Sequence, residues 1–234
     1  MTQSLAPGFG DELKYWDREL SMSGSYPDAI RKRTSADRMI EEFPHYLMPY
    51  FDGLRSAAAP NLPNILDVGS GPLSMLAWGH VTRLFDLTAV DPLADRYLEL
   101  LGKHGHSPNC RLVQGYGEDL AAIFEGRQFD MVWIHNALDH SQSPANVVRA
   151  MATVVRPGGY LVIQGWSREG TAEGWNGLHQ HDLYLTFPAR LCCQSRGGEP
   201  LHIDQGLSLE VVDWFVESIV RDWIRIIYRK ANEL

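Results

Sequence analysis

The sequence predicts an α/β fold: a seven-stranded, mostly parallel sheet with helices on both faces and an antiparallel last strand. Two observations carry this expectation. From residue 64 onward, short apolar runs alternate with longer amphipathic stretches, the pattern of parallel strands joined by helical crossovers. Near the end of the chain two β-rich runs, 209–216 and 223–229, are separated by a short turn, as neighbouring antiparallel strands are.

The five parallel strands are expected at 65–68, 87–90, 111–114, 131–134 and 160–164, with helices near 74–83, 93–103, 118–125 and 144–155. In the last of these helices Val147, Val148, Met151, Val154 and Val155 form one apolar stripe, which marks them as core. Upstream, residues 35–51 place Met39, Ile40, Phe43, Tyr46, Leu47 and Tyr50 at helical intervals. Ser35 is a suitable N-cap for that helix, and Pro44 is a point where it kinks. The prolines of AAAPNLPN then mark a linker before the first strand. After Gln164 the chain becomes rich in Gly, His and Trp. ARLCCQS and PLHID follow, and they read as a hairpin over Gly197 and Gly198.

A chain of 234 residues with 44% hydrophobic residues fits one decorated domain. Its 21 Lys+Arg against 29 Asp+Glu give a formal charge of -8, which disfavours a polyanionic partner such as nucleic acid or an acidic membrane surface. The one compact basic run, Arg31, Lys32 and Arg33, reads as a solvated surface turn. Cys110, Cys192 and Cys193 show neither zinc-ligand nor redox spacing and are expected to be reduced. No signal-like or membrane-spanning run is apparent, so the expectation is a soluble, cytoplasmic protein without a membrane partner.

In an open α/β sheet, ligands bind at the carboxyl ends of the strands, which directs attention to the first strand-to-helix turn. The sequence there is NILDVGSG, with Asp67, Gly69, Ser70 and Gly71 at the turn. Asp91 ends the second strand, followed by Pro92, at a position where a carboxylate accepts hydrogen bonds from ribose hydroxyls. A dinucleotide site prefers Gly-x-Gly-x-x-Gly, but Ser74 holds the third position here. Pro72 follows the second glycine. Asp67, two residues before the first, suits an ammonium group better than a pyrophosphate. These details favour an adenosine cofactor carrying an amino acid and speak against a nicotinamide oxidoreductase.

LDVGSG, AVDP, GYGEDL, FDMVWIHNALDH and RPGGYLVI, in that order over roughly residues 60–165, resemble the class I S-adenosylmethionine-dependent methyltransferases. The resemblance implies a Rossmann-like core with S-adenosyl-L-methionine as cofactor. It implies Asp67, Gly69, Ser70 and Gly71 around the methionine part and Asp91 with Pro92 at the ribose. Gly117, Glu118 and Asp119 would lie at the adenine, and His135 and Asn136 at the amino end. The chain departs from the family pattern at Leu73, where a small residue is common, and at Tyr116, where an acidic one is. The implied organisation is an N-terminal helical lid over 1–60 and a cofactor-binding core over 61–165. An inserted substrate loop and hairpin occupy 166–208, and closing strands of the same domain occupy 209–234.

Methyl transfer to an alcohol requires a group that accepts the hydroxyl proton, and a histidine is suited to this near neutral pH. His140 and His179 are the candidates for catalysis, with Asp139 and Asp182 nearby. His181, Tyr15, Trp16 and Trp166 are candidates for substrate contact, and Tyr26 and Trp175 could join them in a lid that excludes water. The run from Leu178 to Asp182 raises a metal site as an alternative if it is a strand, which would put His179 and His181 on one face. No metal is assigned from the sequence. The expected activity is methyl transfer to a small molecule such as a sugar or secondary metabolite, at oxygen first and nitrogen next. The alternative is a non-catalytic cofactor-binding protein of the same fold.

Overall fold

The computed structural model describes residues 8–218 and 221–232. The first seven residues of the expected lid, and 219–220 and 233–234 of the closing segment, lie outside the described residues. The strands form a seven-stranded sheet in the order β3-β2-β1-β4-β5-β10-β9, and a separate three-stranded sheet in the order β6-β7-β8. The chain divides into two compact units, Met1–Gly115 and Tyr116–Leu234.

In the first unit β1 (Asn64–Val68), β2 (Asp86–Asp91) and β3 (Arg111–Gln114) run parallel, with Asp67 opposite Ala89 and Asp91 opposite Gln114. Beyond their first residues β1 and β2 are buried throughout, as continuous apolar runs in a parallel sheet are. The crossover helices are α4 (Ala77–Val81), shorter than expected, and α5 (Ala94–Lys103). Before them stand α1 (Phe9–Leu20), α2 (Pro27–Thr34) and α3 (Met48–Ala58).

The helix expected over 35–51 does not form. Ser35 ends α2, its N–H bonded to the Arg31 carbonyl, and two short 3-10 turns, Met39–Glu41 and His45–Leu47, lead to α3. The reason is proline. Pro44 cannot supply an interior helical N–H, whereas Pro49 sits in the first turn of α3, where none is needed. Helix α3 then runs through Ala57 and Ala58, the first two of the alanines read as a linker, consistent with their helix propensity, and stops at Ala59 before Pro60. Phe43 packs on Trp78 and Phe51 at ring-centroid distances of 4.8 and 5.7 Å, so its apolar character served this core and not a helical stripe.

The basic run is also not a surface turn. Arg31, Lys32 and Arg33 form the last turn of α2, where cations complement the helix dipole. Lys32 pairs with Asp28 at 3.1 Å and Arg33 with Glu42 at 2.7 Å.

In the second unit a 3-10 turn, Gly117–Asp119, leads into α6 (Leu120–Phe124), and β4 (Phe129–His135) follows. Helix α7 (Pro144–Val154) starts at the N-cap Ser143, whose side chain accepts the Asn146 N–H. Strand β5 (Val155–Trp166) begins directly after it, so Val155 is a strand residue and not part of the helical stripe. β4 and β5 are parallel, whereas β10 (Asp222–Lys230) runs antiparallel to both β5 and β9 (Leu209–Ser218).

Between β5 and β9 lie α8 (Glu169–Ala172), β6 (His181–Thr186), β7 (Arg190–Ser195) and the two-residue β8 (Leu201–His202). The expected hairpin survives only as Cys192 opposite His202 and Cys193 opposite Leu201. The main partner of β7 is β6, which pairs along its whole length. Among the described residues no helix is long and apolar enough to cross a membrane, and the three cysteines are free thiols.

Candidate active site

In the first unit the glycine turn follows β1. Gly69 and Gly71 have φ of +66° and +62°, a region that favours glycine, and the Gly69 N–H bonds to the Val90 carbonyl at 2.8 Å. Asp91 braces the turn with both oxygens, accepting the Gly71 N–H at 3.0 Å and the Leu93 N–H at 2.9 Å. The Ser70 hydroxyl donates to the Gly71 carbonyl. Asp67 is buried and accepts the Ser74 hydroxyl at 2.5 Å, and Ser74 is itself held by Asn109. Burial pushes the Asp67 and Asp91 carboxyls each up to about 7, against the opposing effect of these hydrogen bonds. Pro92 is half-buried beside Asp91.

The N-terminal helix covers this turn. Trp16 lies so close that a Cβ on Gly71 would sit 3.0 Å from its Cζ2. Its indole N–H donates to Glu12, and its ring meets Tyr15 and Tyr97 edge-on. Leu73, where the family has a small residue, is buried with Leu20, Ile30 and Leu101. The departure therefore has a structural purpose: the larger side chain anchors α1 and α2 to the turn. Tyr26, by contrast, is 60% exposed.

In the second unit, a 3-10 turn after β4, Leu138–His140, presents Asp139 and His140. His179 arrives from the segment preceding β6. Its Nδ1 is 2.8 Å from Asp139 Oδ2 and 3.1 Å from His140 Nε2, and the His140 ring meets it edge-on. Asp139 is buried and the two imidazoles are half-buried. Burial disfavours the charged form of His179, but the bond to Asp139 and the charges of Asp139, Glu169 and Glu173 outweigh it and raise its pKa.

The condition that would put His179 and His181 on one face, a strand through both, is not met, because β6 begins at His181. His181 opens β6, is buried, and has its ring nitrogens on Ser195 Oγ at 2.9 Å and the Ser141 carbonyl at 3.1 Å. It braces the loop that carries His140 and His179. Asp182 is likewise structural, accepting both the N–H and the hydroxyl of Thr171.

The remaining expected residues of this unit fall nearby in the chain. Glu118 accepts the Ser143 N–H at 3.0 Å, at the start of α7, while Asp119 is exposed and Gly117 half-buried. His135 stacks on Trp133 and bonds to Gln164. Asn136, with φ of +49°, accepts the Trp166 N–H at 3.0 Å through its side chain. Trp166 packs edge-on against Trp223, under the Arg221 guanidinium, and Trp175 packs over Gly170. Sequence reasoning missed Glu12 and Asn109, whose bracing roles leave no local motif. Asp139 was noticed only as the neighbour of His140.

Residues 66–163 match the family model of a methyltransferase domain. Across that segment the chain carries a methyltransferase domain. The domain is 36% identical over 107 residues to a ubiquinone biosynthesis O-methyltransferase of Albidiferax ferrireducens, a match covering 44% of this chain and 41% of that protein. It is 27% identical over 123 residues to a tRNA 5-carboxymethoxyuridine methyltransferase of Escherichia coli, covering 51% of this chain and 46% of that one. The chain thus spans less than half the length of these curated relatives. The fold is shared with a Galdieria sulphuraria protein provisionally named a sarcosine dimethylglycine methyltransferase, with TM-score 0.60 and 13% identity over 94% of this chain and 100% of that one.

Proposed function

We propose that the protein transfers the methyl group of S-adenosylmethionine to an oxygen of a small molecule, with nitrogen the next acceptor. The glycine turn, Asp67 and Asp91 bind the donor. The observation that carries the acceptor assignment is the 2.8 Å contact between Asp139 and His179, which holds an imidazole in one orientation beside a second imidazole. An alcohol oxygen attacks the methyl carbon, and the carbon–sulfur pair stays on sulfur to give S-adenosylhomocysteine. The hydroxyl proton passes to the histidine pair and then to water. The named O-methyltransferase relative supports oxygen as the acceptor.

The tRNA-modifying relative supports a second reading, an RNA acceptor. The net charge of -8 opposes it, as do the ion pairs that occupy Lys32 and Arg33. The test is methyl release from labelled S-adenosylmethionine over hydroxylated small molecules, amines and tRNA. Transfer to a small-molecule hydroxyl is the expected result, and transfer confined to tRNA would overturn it. Tight binding of S-adenosylhomocysteine with no transfer to any acceptor would make the protein a non-catalytic cofactor binder.

A further inference from the structure

Two ring nitrogens and a carboxylate oxygen converge on one point in the second unit. His179 Nδ1, His140 Nε2 and Asp139 Oδ2 form a triangle with sides of 2.8, 3.1 and 3.6 Å. His179 Nδ1 is the shared corner, so without an ion one proton is divided between Asp139 Oδ2 and His140 Nε2, and the 3.6 Å side is too long for a hydrogen bond. A divalent ion about 2.1 Å from each ligand atom holds its ligands roughly 3.0 to 3.4 Å apart, within the range these sides span. The cluster is also built from two directions. Asp139 is buried, the Gln180 N–H reaches the Asp139 carbonyl, and His181 ties Ser141 to Ser195 across the same junction.

We infer that Asp139, His140 and His179 form a binding site for a divalent transition-metal ion of the zinc type. Two imidazoles and one carboxylate select such ions over magnesium or calcium, which favour all-oxygen sets. Three protein ligands leave coordination positions open, as in catalytic metal sites and unlike closed structural ones. The half-buried histidines keep those positions within reach of a ligand. The inference rests on the proposed function only for the ion's role, which is to hold and polarise the acceptor oxygen; with the ion bound, the ligating nitrogens of His140 and His179 no longer take the hydroxyl proton, which passes directly to water. Its binding stands on the three side chains alone.

The test uses the full chain, stripped with a chelator and titrated with Zn2+ by calorimetry, with Co2+ as a spectroscopic probe. One ion per chain is expected, with visible Co2+ bands that Zn2+ abolishes. Asp139→Asn, His140→Ala and His179→Ala should each weaken binding by at least about tenfold. His202→Ala, at an exposed histidine in β8, should not. Each variant is first checked for native thermal unfolding, and a variant that fails to fold is replaced by His140→Gln or His179→Gln. No stoichiometric binding, or affinity unchanged in all three ligand variants, overturns the inference. Turnover that persists unchanged in the stripped protein removes the ion's role while leaving the methyltransferase reading intact. Metal binding without methyl transfer to any acceptor does the reverse.

Discussion

The Asp91 carboxylate accepts the Gly71 N–H at 3.0 Å, so the residue expected at a ribose also holds the glycine turn in shape. Its second oxygen holds Leu93 at the start of the next crossover. Asp91→Ala is therefore expected to act twice. It leaves two buried N–H groups without their acceptor, at about 1 to 3 kcal/mol each, and it removes the proposed ribose contact. Calorimetry with S-adenosylhomocysteine and chemical denaturation should both register the loss. Lost stability with unchanged cofactor affinity would reduce Asp91 to a brace.

Stability should fall as the medium turns from mildly acidic to alkaline. Asp67 and Asp91 have folded pKa values of about 7, raised by burial. A raised carboxyl contributes stability that is full below its unfolded value near 4 and is lost as pH rises through the folded value. The window is thus pH 4 to about 7, with the loss complete somewhat above 7. Denaturation midpoints measured at pH 5 and pH 8 should be higher at pH 5, and Asp67→Asn should flatten part of that slope. A profile unchanged by that substitution would contradict the assignment.

Gly71 is constrained both by its own backbone and by its neighbour. Its φ of +62° disfavours any other residue, and a Cβ would meet Trp16 at 3.0 Å. Gly71→Ala should cost roughly 1 to 2 kcal/mol from the backbone alone, with a further cost from the contact. The contact component is separable by a double-mutant cycle, because in a Trp16→Ala background only the backbone cost remains. Equal costs in the two backgrounds would mean that Trp16 does not press on the turn.

Strands β1, β2, β4 and β5 are legible because a parallel sheet buries both faces, and the chain writes such strands as apolar runs such as Ile65–Leu66 and Val132–Trp133; the edge strand β3, exposed at both ends, is legible only through Leu112 and Val113. The chemistry of single residues is legible too, since His140 and His179 stand out by type. Their meeting with Asp139 is not, because His179 lies forty positions away and only the fold brings it there. β6 escaped notice because HDLYLT follows a Gly-rich stretch and pairs mainly with β7, not with the main sheet. The helix over 35–51 failed because periodicity ignores what Pro44 cannot donate. Glu12 and Asn109 hold the site through side-chain contacts that no spacing encodes.

Glu118 offers a choice between two roles that one pair of substitutions separates. The family resemblance implies a contact with adenine, whereas its Oε1 accepts the Ser143 N–H at the start of α7. A carboxylate there satisfies a helix-terminal donor and complements the helix dipole, together worth about 1 to 2 kcal/mol. Glu118→Gln keeps an acceptor for Ser143 and should lose only the charge component, roughly 0.5 kcal/mol. Glu118→Ala should lose both and loosen the link between His140 and α7. Denaturation should rank the variants wild type, Gln, Ala, with S-adenosylhomocysteine affinity nearly constant. Should affinity fall sharply while stability holds, the adenine role would prevail over the capping one.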